Sequence, residues 1–346
     1  MKISLGDFRQ LTRACLALRR GAFLGFGSVT AVFTGKEMRA TDGRVGVEIP
    51  CEMPESFAVP VENFFEPFDH PTEEEFLCTV LDDKVQVAQG RFRGVVPRVS
   101  PDTTPTWPRV PSTTWVPLEG TSFWKMANEI VFAASPKVSA LNGVGVYKES
   151  LVVGDGIRGV YAPLTGLGSL EGFVPQAMLA YVDKAFVLPQ APEAILFEEH
   201  RVWLRLAAGV LVWALLPEGP LTQKIFDAMM RLLSQSAGIG PSGVAPWVEW
   251  DRLSAQEAAA RVAYFAGESM AFEAVETGLR FAAESVRGSA EEIIPAEVHQ
   301  TFAMRMNPSV LVDAAGRTAS CALTSDRRAV VFHGEGYDYA VMGMVR

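Results

Sequence analysis

The feature that most constrains this chain is a phrase it uses three times. Phe57-Ala58-Val59-Pro60-Val61-Glu62-Asn63-Phe64-Phe65 is echoed by Phe173-Val174-Pro175-Gln176-Ala177-Met178-Leu179. A looser copy is Phe302-Ala303-Met304-Arg305-Met306-Asn307-Pro308-Ser309-Val310-Leu311. The intervals are 116 residues (57 to 173) and 129 residues (173 to 302). A second landmark keeps step: Ala40-Thr41-Asp42-Gly43-Arg44 is matched by Val153-Gly154-Asp155-Gly156-Ile157-Arg158, with the aspartates 113 residues apart. Such a period is far longer than a solenoid repeat, so each copy is expected to be a domain in its own right. A chain of 346 residues accommodates three domains of about 110 residues. Pro-rich stretches at 100–111 and 238–246 mark the boundaries, dividing the chain into 1–110, 111–243 and 244–346.

Within each copy the same order of elements is expected. An amphipathic helix opens it: over Leu5 to Leu18, Phe8, Leu11, Cys15 and Leu18 recur at helical spacing, with Arg9, Arg13 and Arg20 largely on the other face. The second copy opens with Phe123, Met126, Ala127 and Ile130 as its apolar face. The third opens with Leu253, Ala260 and Tyr264 inward and Arg252 off that face. Short strands follow, at Gly27–Thr34, Glu37–Thr41 and Val45–Pro50 in the first copy, with alternation at Lys84 to Ala88. The Val-Pro element then starts a second helix, because proline is tolerated in a first turn. Strands such as Arg328–His333 and Tyr339–Met344 close the unit, and Val202–Leu216 reads as a hairpin. The fold class is α+β, with two helices packed on antiparallel sheet in each of three tandem domains. Ile225–Leu233 stands outside this plan as an extra short helix.

Composition removes several function classes. Cys15, Cys51, Cys78 and Cys321 lack disulfide or ligand spacing, and His70, His200, His299 and His333 are isolated, so no metal set is expected. There is no GxxxxGK[ST] loop, and Gly25-x-Gly27 and Gly143-x-Gly145 lack the third glycine of a dinucleotide fingerprint. Asp42 and Asp155 are equivalents in separate copies, better suited to shaping turns with their glycines than to joint acid–base chemistry. No segment has the length and continuity of a membrane span, and no secretory leader is read at the N-terminus, so a cytoplasmic protein is expected. The net charge of −9 speaks against a uniformly nucleic-acid-binding surface but leaves room for one basic face.

Taken in order and spacing, these landmarks resemble one family from end to end. The opening Met-Lys-Ile, the Ala-Thr-Asp block, the Val-Pro elements, Leu141-Asn142-Gly143 ahead of Asp155-Gly156-Ile157-Arg158, and the closing Val341-Met342-Gly343-Met344 are similar to the bacterial β sliding clamp, the beta subunit of DNA polymerase III. The divergence points to a phage-encoded or otherwise remote member. The resemblance implies a non-enzymatic processivity factor without cofactor. It would be a head-to-tail homodimer whose six domains close a ring around double-stranded DNA, opened by a clamp loader and tethering a DNA polymerase.

The same resemblance implies three sets of residues. Arg9, Arg13, Arg19, Arg20, Lys125, Lys137, Lys184, Arg252, Arg261 and Arg317 would lie on or beside helices facing DNA; the competing reading is the solvated face of amphipathic helices. Leu141, Gly156, Ile157, Arg158, Val341, Met342 and Met344 would form a groove for partner peptides, with an arginine rim around Leu and Met walls; the alternative is plain core. Tyr264 and Phe265 would pack across the dimer seam, with Arg91, Arg93 and Arg98 meeting Glu291 and Glu292 of the other edge. The family's threonine, histidine and proline are replaced by Gly154, Ile157 and Gly343, which bears on partner choice. Rival functions are a clamp diverted to transcription or repair, and a three-domain enzyme or ligand-binding protein with a site at a domain junction.

Overall fold

The computed structural model describes residues 2–21, 29–53, 55–68, 75–100, 106–186, 192–235 and 247–344. They gather into two compact units: Met1–Asn128 with Phe173–Glu218, and Glu129–Gly172 with Gly219–Arg346. Seven α-helices occur among the described residues: α1 (Leu5–Gly21), α2 (Val61–Phe65), α3 (Phe123–Ile130), α4 (Gln176–Ala185), α5 (Thr222–Gln235), α6 (Arg252–Ala263) and α7 (Pro308–Arg317). None of them is long and apolar enough to cross a membrane.

The thrice-used phrase is a structural device. Each copy is a strand that turns into a helix: Phe57–Pro60 into α2, Gly172–Pro175 into α4, and Phe302–Met306 into α7. The residue at each switch is extended, with φ and ψ of −64° and 130° at Pro60, −61° and 142° at Pro175, and −62° and 127° at Asn307. Proline holds φ near this value without a helical N–H to lose. In the third copy Asn307 does the work differently, its side chain accepting hydrogen bonds from the N–H groups of Ser309 and Val310 while Pro308 takes the first turn.

The Asp-Gly landmark is a turn as expected. Asp42 Oδ1 accepts from the N–H groups of Arg44 and Val45, and Asp155 Oδ1 accepts from those of Ile157 and Arg158. Gly43 and Gly156 follow at φ of +88° and +94°, which a side chain would oppose. A third such turn lies at Asp326, whose Oδ1 accepts from the Arg328 N–H. There the left-handed residue is Arg327, at φ +56°.

In the first unit, a sheet runs Lys2–Ser4, Glu75–Val80, Lys84–Gln89, Phe92–Pro97. A larger one runs Phe57–Pro60, Thr30–Phe33, Glu37–Thr41, Val45–Pro50, Leu211–Leu215, Arg201–Arg205, Ala194–Phe197, Val116–Pro117. The expected hairpin is present, with Trp203 opposite Trp213. Phe8, Leu11, Cys15 and Leu18 of α1 are all buried, as the periodicity predicts. Phe8 is the hub of an aromatic core, stacked on Phe76 at 3.8 Å between centroids and surrounded by Phe64, Phe65 and Phe68. The Tyr181 hydroxyl of α4 donates to the Ala14 carbonyl of α1 at 3.2 Å.

In the second unit, strands follow in the order Gly143–Val146, Ser150–Gly154, Arg158–Pro163, Asp338–Met342, Ala329–His333, Ser320–Leu323, Val248–Trp250, Ala296–Val298. A four-stranded sheet runs Gly288–Ile294, Gly278–Ser285, Met270–Val275, Phe302–Met306. Helix α6 departs from expectation. Leu253 is 65% and Tyr264 69% exposed, and Ala260 is exposed as well. The inward face is Ala255, Ala258, Ala259 and Val262, which packs on α7. A seam of small residues lets two helices approach closely, so the large apolar residues were a poor guide to the buried face.

Removing the aromatic hub should be costly. Phe8→Ala is expected to destabilise the protein by about 3–5 kcal/mol, the cost of a large cavity in a packed core. Urea denaturation followed by tryptophan fluorescence measures it.

Candidate functional site

The second unit holds an apolar pocket of about 280 Å³. Its floor is the paired strands Arg158–Pro163 and Asp338–Met342, where Arg158 stands opposite Val341. Side chains alternate along a strand, so Ala340 and Met342 face the pocket while Val341 points to the other side and is fully buried. One end is closed by Leu141, from the 3-10 turn Ser139–Leu141, and by Gly156 and Ile157 of the Asx turn. Ile157 is 52% exposed.

The remaining wall is α5. Leu221 precedes it, and Lys224, Ile225, Ala228, Met229 and Leu232 line the pocket from one helical face. Met229 and Leu233 are anchored on Val331 and Ala340, with Tyr161 packed against them. Phe226 braces the helix from another side, 5.0 Å from the Tyr147 ring, and the Lys148 ammonium lies over both rings.

Bare backbone in the sheet makes room for this helix. A Cβ built on Gly145 would stand 2.5 Å from Thr222 Cγ2, and one on Gly159 would stand 2.5 Å from Met229 Sδ. Neither glycine has a positive φ, so what these positions require is space. A Cβ built on Gly154 would stand 3.0 Å from the Arg158 carbonyl oxygen and 3.4 Å from Ile225 Cγ2.

Arg158 borders the pocket, but its guanidinium is spent on the protein. Nε donates to Asp155 at 2.9 Å, Nη1 to Asp313 at 3.0 Å and to the Tyr339 hydroxyl at 3.4 Å, and Nη2 to the Phe132 carbonyl at 3.0 Å. Burial works against its charge, while the Tyr339 hydroxyl and Asp155 hold its pKa above the ordinary value. Burial pushes the Tyr339 phenol well up, so it remains a neutral hydroxyl. The Phe132 ring meets two guanidinium groups, that of Arg317 at 3.9 Å and that of Arg158 at 5.8 Å. Arg158 is thus a brace joining the pocket floor to α7, and the side of it left to the pocket is largely its hydrocarbon stem.

Of the seven residues expected in the groove, the pocket gathers Leu141, Gly156, Ile157, Arg158 and Met342. Val341 is core, and Met344 is exposed outside the lining, its N–H bonded to the Arg305 carbonyl. What the sequence reading missed is the depth of the α5 wall. The expected short helix is 14 residues long, and the signal was available in the spacing of Ile225, Met229 and Leu232.

The other expected residues are placed as follows. Arg9 and Arg13 on α1, Lys125 on α3, Lys137 in a loop, Lys184 on α4 and Arg252 on α6 are exposed. They form no ion pair among the described residues. The side chains of Arg19 and Arg20 lie outside the described part. Arg261 is paired with Glu292 at 2.6 Å and Glu257 at 3.5 Å, and Arg317 with Asp313 at 2.7 Å. Glu291 is paired with Arg280, which also reaches Glu273. Arg91 and Arg93 are exposed, whereas Arg98 donates to the carbonyls of Leu81, Asp82 and Ser56. Phe265 is half-buried beside Gly288 and stands edge-on to the exposed Tyr264.

The sequence matches no protein-family model and no curated protein. Solved structures do match, over the full chain. The DNA polymerase sliding clamp of Pseudomonas aeruginosa, determined with a ligand, is 18% identical with a TM-score of 0.78, covering 100% of this chain and 99% of that one. The fold is that of a sliding clamp. The DNA polymerase III beta chain of Streptococcus pneumoniae TIGR4 gives 14% and 0.78, and the beta subunit of Thermotoga maritima 17% and 0.75, each covering 100% of this chain and 99% of its own. The sliding-clamp fold is therefore retained here with few shared side chains.

Filling the seat beneath α5 tests the pocket's construction. Gly145→Ala pushes a methyl group into Thr222, whose branched Cβ has little freedom to yield. We expect a loss of about 1–3 kcal/mol from overpacking, read by chemical denaturation, and faster amide exchange in α5 by hydrogen–deuterium mass spectrometry.

Proposed function

We propose that this protein is a DNA sliding clamp, a processivity factor that encircles duplex DNA and holds a replicative polymerase and other partners through the pocket beside α5. The observation that carries the reading is the full-length correspondence to sliding-clamp structures, at TM-scores of 0.75 to 0.78. The proposal takes the chain as three domains, 1–110, 111–243 and 244–346, acting without chemistry of their own in the cytoplasm and opened by a separate clamp loader.

Strand pairing supports a head-to-tail homodimer. The first two domains would be joined by Val45–Pro50 against Leu211–Leu215, and the last two by Arg158–Pro163 against Asp338–Met342. A third junction of the same kind needs two more edge strands. Phe92–Pro97 and Gly288–Ile294 each end a sheet and expose apolar side chains, Phe92 and Val95 on one and Ile293 on the other. Open edges of this sort are normally covered. Two copies pairing head to tail would cover both and close the set. Arg91 and Arg93 beside the first edge and the half-exposed Glu291 in the second have complementary charge; Tyr264 and Phe265 supply apolar area.

For DNA, Arg9, Arg13, Lys125, Lys137, Lys184 and Arg252 are the cations of the expected set that form no ion pair among the described residues, with Arg19 and Arg20 as further candidates. Arg261 and Arg317 would contribute less, because each already neutralises a carboxylate. Loose, replaceable phosphate contacts suit a protein retained by topology.

Electron microscopy and sedimentation test the assembly together. We expect six-lobed rings with a central hole and a dimer at micromolar concentration, and monomers for Phe265→Glu. Compact monomeric particles at all concentrations would overturn the ring.

A further inference from the structure

Whatever occupies the pocket meets an almost wholly aliphatic wall. Among the described residues no Asp or Glu lines it, and the charged side chains that do are Arg158 and Lys224. They differ in availability. Every nitrogen of the Arg158 guanidinium already donates to Asp155, Asp313, Tyr339 or the Phe132 carbonyl. Lys224 is exposed and forms neither an ion pair nor a hydrogen bond among the described residues.

Its position on α5 makes this costly to the isolated protein. Lys224 is the third residue of the helix, in a first turn that has no acidic residue. A cation there sits at the positive end of the helix dipole, where its charge is unfavourable. Asp227, three residues on, is not within ion-pairing distance of it. No described residue pairs with the Lys224 charge, while its position at the pocket places that charge against any ligand.

We infer that Lys224 is the specificity-determining cation of this pocket, selecting an extended partner segment that joins apolar anchors to an acidic side chain. The inference rests on the peptide-pocket reading above. Leu141, Ile225, Met229 and Met342 receive the anchors. The carboxylate bonds to the Lys224 ammonium at the rim, where solvent keeps the gain modest and selection is by difference between sequences.

The probes are fluorescein-labelled octapeptides of Ala and Ser ending in a Leu-Phe pair. They are identical except for one Asp, Asn or Lys scanned through the four positions before that pair. Fluorescence anisotropy with the full chain gives the affinities. At one position Asp is expected to bind about two- to fivefold more tightly than Asn, the range an exposed ion pair supplies. The preference should fade in 0.5 M salt, vanish in Lys224→Ala and turn toward the Lys peptide in Lys224→Glu. Ala228→Trp, which fills the pocket, should abolish binding of the whole series. An Asp preference that persists in Lys224→Ala, or none at any position while Ala228→Trp still blocks binding, overturns the role of Lys224 and leaves the pocket standing. Binding that survives Ala228→Trp, or no binding by any peptide up to millimolar concentration, overturns the pocket reading itself.

Discussion

Main-chain pairing between strands far apart in sequence is the constraint on which the rest depends. Val45–Pro50 bonds to Leu211–Leu215, and Arg158–Pro163 to Asp338–Met342, roughly 165 to 180 positions away. Each pairing turns two short sheets into one long one, and each removes two open edges. The chain must leave each compact unit and return to it for these bonds to form. Connections of this range are entropically slow to close but cost little more than short ones once closed. Among the described residues, Phe92–Pro97 and Gly288–Ile294 remain at sheet ends with exposed apolar side chains.

The pocket is a by-product of the second pairing. It sets Arg158 beside Val341 in register and turns Ala340 and Met342 toward the same side as Gly159. A main-chain bond from the Met342 N–H to the Ile157 carbonyl, 3.0 Å long, ties the Asx turn to that strand. Helix α5 is then laid over glycine. Because Gly145 and Gly159 present no side chain, Thr222 and Met229 come down onto the sheet itself. The wall's depth follows from what the sheet omits.

Legibility in the sequence tracks which physical signal a feature uses. The strand-to-helix switches and Asx turns were readable because proline, and aspartate followed by glycine, each have a narrow conformational purpose. The third Asx turn, at Asp326, was not, since Arg327 takes the left-handed position where glycine would have announced it. The buried face of α6 was misread because alanines carry little hydrophobic weight yet pack well against α7. Residues of the groove were placed by analogy, and analogy cannot say that Arg158 is consumed by Asp155 and Asp313 or that Val341 faces inward. The Arg158–Asp313 contact joins residues 155 positions apart and leaves no local trace.

This division also accounts for a clamp fold kept at 14 to 19% identity to structures it matches. What holds the sheets together is backbone hydrogen bonding and a volume of apolar side chains, and both tolerate wide substitution if pattern and size are kept. Geometry instead depends on backbone conformation at a smaller set of positions: Gly43 and Gly156 at positive φ, and the extended residue at each switch. The pocket belongs to the opposite regime. Most of its lining is side chain, from residues such as Leu141, Ile157, Ile225, Met229 and Met342, so substitution there changes what the pocket can hold without asking anything of the strand pairing beneath it.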